Sequence, residues 1–148
     1  MRDTIMIGTI AGFVANLTMV SFALTVKLFG FKFITTWETA ANIFLAPKLI
    51  HTPTGYFIGV LAQLVLGAIF GITVAYVLRL TGKDFYILKG IGVGAVIWLA
   101  SIGLFMRFLH IEIHGRSEAF TNIMAVIEFV ILGIVNSTII AKYAKFRI

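Results

Sequence analysis

The chain has no cysteine, only two prolines and few charges, with Asp, Glu, Lys and Arg making up 12% of its 148 residues. Without cysteine there is no disulfide framework, no thiol nucleophile, no iron–sulfur ligation and no thiolate zinc site. Charged side chains stand at half of the ~25% usual for globular domains, which excludes an ordinary soluble domain, a disordered chain and a charged coiled coil. Too little proline is present for a collagenous chain. Charge is also absent in long blocks: Thr4–Val26, Thr54–Leu78 and Gly90–Met106 carry none, and Ala119–Ala141 carries only Glu128. No histidine lies in these blocks, so a haem held between membrane helices has no imidazole to bind it. The ten-residue alternations of a membrane β-barrel are missing too. No nucleophile–base motif is recognisable in the chain.

What remains is 60% hydrophobic, with 14 glycines and a mean hydropathy of +1.05. A hydrocarbon core ~30 Å thick needs ~20 helical residues, so each block is long enough to cross once. The expected fold is all-α: a polytopic membrane protein forming a four-transmembrane-helix bundle in a single domain, 1–148. The spans fall at about 4–28, 54–79, 88–109 and 119–143. The first block competes with a cleaved signal peptide ending at Ser21-Phe22-Ala23. It is longer than a usual signal core and Asp3 neutralises Arg2, so retention as a span is preferred.

Four spans put both termini on one side. That side holds Arg2, Arg79, Lys83, Lys89, Lys142, Lys145 and Arg147 against Asp3 and Asp84. The other holds Lys27, Lys32, Lys48, Arg107 and Arg116 with Glu38, Glu112 and Glu118. Positive charge stays in the cytoplasm, which favours a cell-membrane protein with N and C termini inside. The net charge of +6 then reflects orientation and anionic lipid, and no nucleic-acid partner is expected.

Between the first two spans the link is long. Within it Thr35-Thr36-Trp37-Glu38 has the form of a capping box. Trp37, Ala41, Phe44, Leu45 and Lys48 follow at helical spacing, and Pro47 limits the end. The expectation is a short interfacial helix at about 36–46, anchored by Trp37 at the outer leaflet. Its alternative is a re-entrant lid, permitted where irregular backbone lines protein or water. Residues 81–86 form a tight turn that makes the second and third spans antiparallel neighbours.

Small residues recur four apart: Gly8, Gly12, Asn16 and Ala23; Gly59, Gln63, Gly67 and Gly71; Gly90, Gly94, Trp98 and Ser101. Such stripes let helices approach closely, within the bundle or between copies. The glycines at 90, 92 and 94 do not make a nucleotide loop, because no strand precedes them and no Walker lysine follows. The pattern Lys89-Gly90-x3-Gly94-x3-Trp98 resembles segments of small bacterial four-helix integral membrane proteins, and the resemblance implies no activity.

Two sets of residues are candidates for chemistry. A carboxylate near the bilayer centre costs roughly 2.5–3.5 kcal/mol on insertion scales, so Glu128 is expected to face the interior. Counting from the span ends puts Glu128, Gln63 and Ser101 all about 12 Å below the outer boundary, with Asn16 near the midplane. This is either a proton, cation or polar-ligand site, or a neutral Glu128 hydrogen-bonded to Gln63 as interhelical glue. On the outer face, His110, Glu112, His114 and His51 form a donor set that would accept zinc or another divalent metal, the one cofactor considered. It is not the H-E-x-x-H protease motif, and unligated loop histidines are its plainer reading.

The function expected is therefore non-enzymatic: an ion, proton or polar-ligand permeation or binding bundle, or an accessory subunit of a larger membrane complex. So compact a chain would need a homo-oligomer to conduct. The alternative is an outer-face metal-dependent membrane enzyme or metal-binding protein using His110, Glu112 and His114.

Overall fold

The computed structural model describes residues 3–105 and 119–145. Among them there are helices and no strands. Helix α1 covers Thr4–Leu28, a short α2 covers Thr36–Phe44, and a single 3-10 turn, Pro47–Leu49, leads to α3, Pro53–Thr81. Helix α4, Tyr86–Trp98, runs on into a π-helical turn, Leu99–Phe105, and α5 covers Ala119–Tyr143. Three of these, α1, α3 and α5, are long and apolar enough to cross a membrane. Helix α4 has 13 residues, and the remainder of the third expected span, at 106–109, lies outside the described residues.

Each helix starts and stops for a local reason. The Asp3 carboxylate accepts the Ile5 and Met6 amides at 2.8 and 3.0 Å, which caps α1. Thr52 caps α3 by accepting the Gly55 amide at 3.2 Å, and Pro53 occupies the first helical position, where no amide is needed. Gly82 ends α3 at φ +82, a conformation that side chains resist. Lysines close the C-terminal ends nearby. Lys89 donates to the Thr81 and Gly82 carbonyls at 2.9 Å each, and Lys83 donates to Ala141 at 2.8 Å and to Ala144. Arg79 donates to the Thr4 hydroxyl at 3.0 Å. Among the described cations counted for orientation, Arg79, Lys83 and Lys89 thus make bonds within the bundle, the two lysines to unpaired helix-end carbonyls.

Helix α1 packs on α3 and α5, α4 packs on α5, and α2 lies against α3. The long helices meet through glycine. A Cβ on Gly12 would run into the Gly67 carbonyl oxygen, and one on Gly8 would lie 2.6 Å from the Ile72 Cα. A Cβ on Gly71 would strike the Gly8 carbonyl, so the contact is reciprocal. Gly90 and Gly133 face each other in the same way between α4 and α5, and Gly94 sits against the Phe129 carbonyl. Gly133 was not among the packing residues expected; it follows Leu132 on α5 and has no glycine spaced four away to mark it.

Ile7, Val74, Leu78 and Ile140 fill the core beside these contacts. Outside, Leu17, Phe57, Leu61, Val65, Leu66 and Ile69 are exposed, while Asn16, Gln63, Glu128, Asn136 and Ser137 are buried. Apolar side chains out and polar ones in is the arrangement of a helical bundle whose solvent is lipid.

Helix α2 packs one face against the bundle and leaves Ile43 and Phe44 exposed. Trp37, Glu38, Ala40 and Ala41 are buried, and Trp37 joins Ala23, Phe33 and Met124 in a second apolar cluster. Gly59 of α3 lies directly under the Trp37 carbonyl. Trp37, expected as the outer-leaflet anchor, is buried against protein, with the Lys27 ammonium 5.4 Å from its ring centroid.

Candidate functional site

The buried polar residues of four helices gather around the first turn of α2. Asn16 on α1 and Gln63 on α3 pair through their side chains. The Asn16 amide donates to the Gln63 backbone carbonyl at 2.6 Å, and the Gln63 amide donates back to Asn16 Oδ1 at 3.2 Å. Gly67, one turn along, makes the room, since a Cβ there would lie 2.6 Å from the Asn16 amide nitrogen. Gln63 also donates to the Thr36 hydroxyl at 3.0 Å. Because that oxygen accepts from Gln63, the hydroxyl hydrogen of Thr36 is free to turn elsewhere.

It has a carboxyl to turn to. Glu128 of α5 lies beside the Thr36 hydroxyl and the Thr36 backbone amide, with Lys27 and Glu38 near enough to act on it electrostatically. Glu128 is 1% exposed, and its Oε1 has no hydrogen-bond partner among the described residues. Two other buried polar atoms share that condition, Asn136 Oδ1 and Trp98 Nε1. Asn136 lies two turns along α5, on the same face as Glu128.

Sequence reasoning expected Glu128, Gln63, Ser101 and Asn16 at this site. Asn16 and Gln63 are hydrogen-bonded, and Gln63 is linked towards Glu128 by Thr36 rather than by a direct bond. Ser101 lies half-buried in the π-helical turn, with no bond to the set among the described residues. Thr36 was missed as a site residue. Its signal, the capping box, speaks only of a helix start and not of what the start touches.

The other end of the cluster is ionic. Glu38 Oε2 accepts the Thr35 amide and the Thr35 hydroxyl, both at 2.8 Å, which is its half of the capping box. Its Oε1 pairs with the Lys27 ammonium at 2.9 Å. Burial works against the Glu38 anion, but the Thr35 amide, Lys27 and the Thr35 hydroxyl outweigh it and hold the carboxyl below its ordinary value of 4.5. His51 Nδ1 stands 3.8 Å from the same carboxylate, on a largely exposed side chain. A pocket of about 240 Å³ opens here, lined by Ile34, Glu38, Thr39, Asn42, Pro47, Ile50 and His51.

No protein-family model matches the chain, and no curated protein or solved structure does either.

For metal, the expected donors His110, Glu112 and His114 lie outside the described residues, and His51 sits beside Glu38. No group of three His, Asp or Glu side chains suited to a metal occurs among the described residues. Around Glu128 the neighbours are a hydroxyl, a backbone amide, an ammonium, the already engaged Glu38 carboxylate and the N-terminal end of a helix. Donors and positive ends suit a carboxylate that exchanges a proton better than one that shares a metal ion, which would want further oxygens.

Proposed function

We propose that this protein is a membrane-embedded proton-binding bundle in which Glu128 takes up and releases a proton beneath the first turn of α2. The observation that carries the reading is a carboxyl 1% exposed with one oxygen unpartnered. Lipid surroundings favour the neutral acid, because an isolated charge in hydrocarbon is expensive. The Thr36 donors, the N-terminus of α2 and Lys27 favour the anion. Hydrogen-bond donors on one side of the carboxyl and an open oxygen on the other suit a group that takes up and releases a proton.

In this reading the chain crosses the cell membrane four times, with α4 and the residues after it as the third span in order. Both termini and Lys83 face the cytoplasm, and α2 faces outward. Proton movement across the bilayer would use a homo-oligomer, since four close-packed helices leave little room for a private path. The lipid-soluble dicyclohexylcarbodiimide reacts with protonated buried carboxyls and leaves a stable adduct that mass spectrometry can place. The expected result is an adduct at Glu128, absent in Glu128→Gln, and proton flux in proteoliposomes that Glu128→Gln abolishes while the protein stays folded. Wild-type flux in Glu128→Gln would leave the residue a structural one. Because the chain has no cysteine, single cysteines at 83 and 114 report orientation; impermeant labelling of 83 but not 114 in intact cells would reverse it.

A further inference from the structure

The first turn of α2 stands between the outward pocket and the buried carboxyl. Thr36 and Glu38 are two residues apart, which on a helix turns their side chains roughly 200° from one another. Thr36 meets Gln63 and lies beside Glu128, whereas Glu38 lines the pocket. One helical turn is the partition between them.

On its outward side the partition is held by a short set of contacts around one ion pair. Lys27, in the last turn of α1, pairs with Glu38 at 2.9 Å and sits over the Phe33 and Trp37 rings at 5.9 and 5.4 Å. Glu38 in turn ties down Thr35. Below, α2 rests on α3 at Gly59, where backbone meets backbone, and Gln63 of α3 donates to the Thr36 hydroxyl. On the α1 side the connection passes through Gly30, at φ +88 with open space where a Cβ would be. The buried Trp37 and the Thr36–Gln63 bond also hold this helix; the Lys27–Glu38 pair is the hold that borders the pocket.

We infer that α2 is a removable plug over Glu128 and that Lys27, through Glu38, is the positioning residue that latches it shut. The inference rests on Glu128 being the proton-binding group. It adds the route: protons arrive from the pocket at the α2 end, and the latch sets how often the route opens. Both oxygens of Glu38 are already engaged, so Glu38 serves the latch and does not itself pass the proton.

The test compares two carbodiimides on the full-length protein in liposomes, with the adduct at Glu128 quantified by mass spectrometry. A water-soluble cationic carbodiimide reaches Glu128 only by way of the pocket, whereas dicyclohexylcarbodiimide arrives through lipid. Lys27→Met should raise the rate with the water-soluble reagent about tenfold, the scale expected when a partly buried ion pair is removed from the closed state. Lys27→Arg should keep the wild-type rate, and each water-soluble rate is read as a ratio to the dicyclohexylcarbodiimide rate of the same protein, which removes the effect of Lys27 on Glu128 protonation. Glu38→Gln preserves the side-chain shape and gives the same reading if Lys27→Met fails to fold. Equal rates of water-soluble labelling in wild type, Lys27→Met and Glu38→Gln would overturn the latch and leave Glu128 as the site. Absence of any Glu128 adduct with either reagent would overturn the proton-binding reading, and the latch with it.

Discussion

Replacing Gly12 by alanine tests whether the α1–α3 contact is the structural foundation of the site. The new methyl carbon would overlap the Gly67 carbonyl oxygen and lie 2.8 Å from its carbon and 3.0 Å from the Ala68 Cα. All three are backbone atoms, so no rotamer change relieves the clash. Ordinary contact begins near 3.4 Å, and the helices must separate by about an ångström. Overpacking of this kind costs about 1–3 kcal/mol. The separation also stretches the two Asn16–Gln63 bonds one turn away, at about 0.6 kcal/mol each in a membrane bundle. Alanine returns up to about 1 kcal/mol through its helix propensity. The net expectation is a loss of about 1–3 kcal/mol. Gly92→Ala supplies the control, because nothing lies within 4 Å of a Cβ there; it should be neutral or stabilising by up to about 1 kcal/mol. Reversible unfolding in mixed micelles of rising dodecyl sulfate fraction, followed by far-ultraviolet circular dichroism, measures both. If Gly12→Ala proves as stable as Gly92→Ala, backbone contact at Gly12 does not hold α1 to α3 and the reasoning fails.

Glu38 provides the pH dependence. Its carboxyl is held below 4.5 in the folded state, so its contribution is fully present above that value and is lost as pH falls through the lowered folded one; unfolding titrations should lose stability in that acid window, and Glu38→Gln should flatten this limb. At pH 7 the same substitution should cost about 1–3 kcal/mol, the usual range for hydrogen bonds to a charged group. Lys83→Met would strip the cation from the Ala141 and Ala144 carbonyls and should destabilise by about 1–2 kcal/mol, while Lys48→Met, on an exposed side chain, should change stability by less than about 0.5 kcal/mol. Thr36→Val keeps the shape but removes the hydroxyl between Gln63 and Glu128; it should slow proton flux while leaving the α1–α3 pairing intact, read by flux alongside unfolding, and unchanged flux would take Thr36 out of the site.

Much of the site was visible in one dimension only as isolated residues. Glu128, Gln63 and Asn16 stand out because a polar side chain within a long apolar run is conspicuous wherever the run folds. Thr36 does not stand out, since a threonine before a tryptophan and a glutamate looks like any helix start. Lys27 and Glu38 were read as separate loop charges, one counted for orientation and one for capping. Their pairing depends on α2 folding back against the end of α1, which neither residue encodes alone. Similarly, the bias of basic residues towards one side was read as an orientation signal. Lys83 and Lys89 are also structural, because carbonyls left over at helix ends need donors wherever the membrane lies.

By itself the sequence determined that the chain is helical and that its outward surface is apolar. Run length, scarcity of charge and glycine spacing are properties of a line, and lipid reads them much as they are written. Only the tertiary structure decided which polar groups meet. That outcome depends on the rotation and register of α1, α3 and α5 about their glycine contacts, and on the insertion of α2 among them. Side chains far apart in the chain converge because backbone-to-backbone contact at Gly8, Gly12, Gly67 and Gly71 leaves the two helices little freedom to turn. Thr36 then comes to rest between Gln63 and Glu128, a position that no local pattern around it specifies.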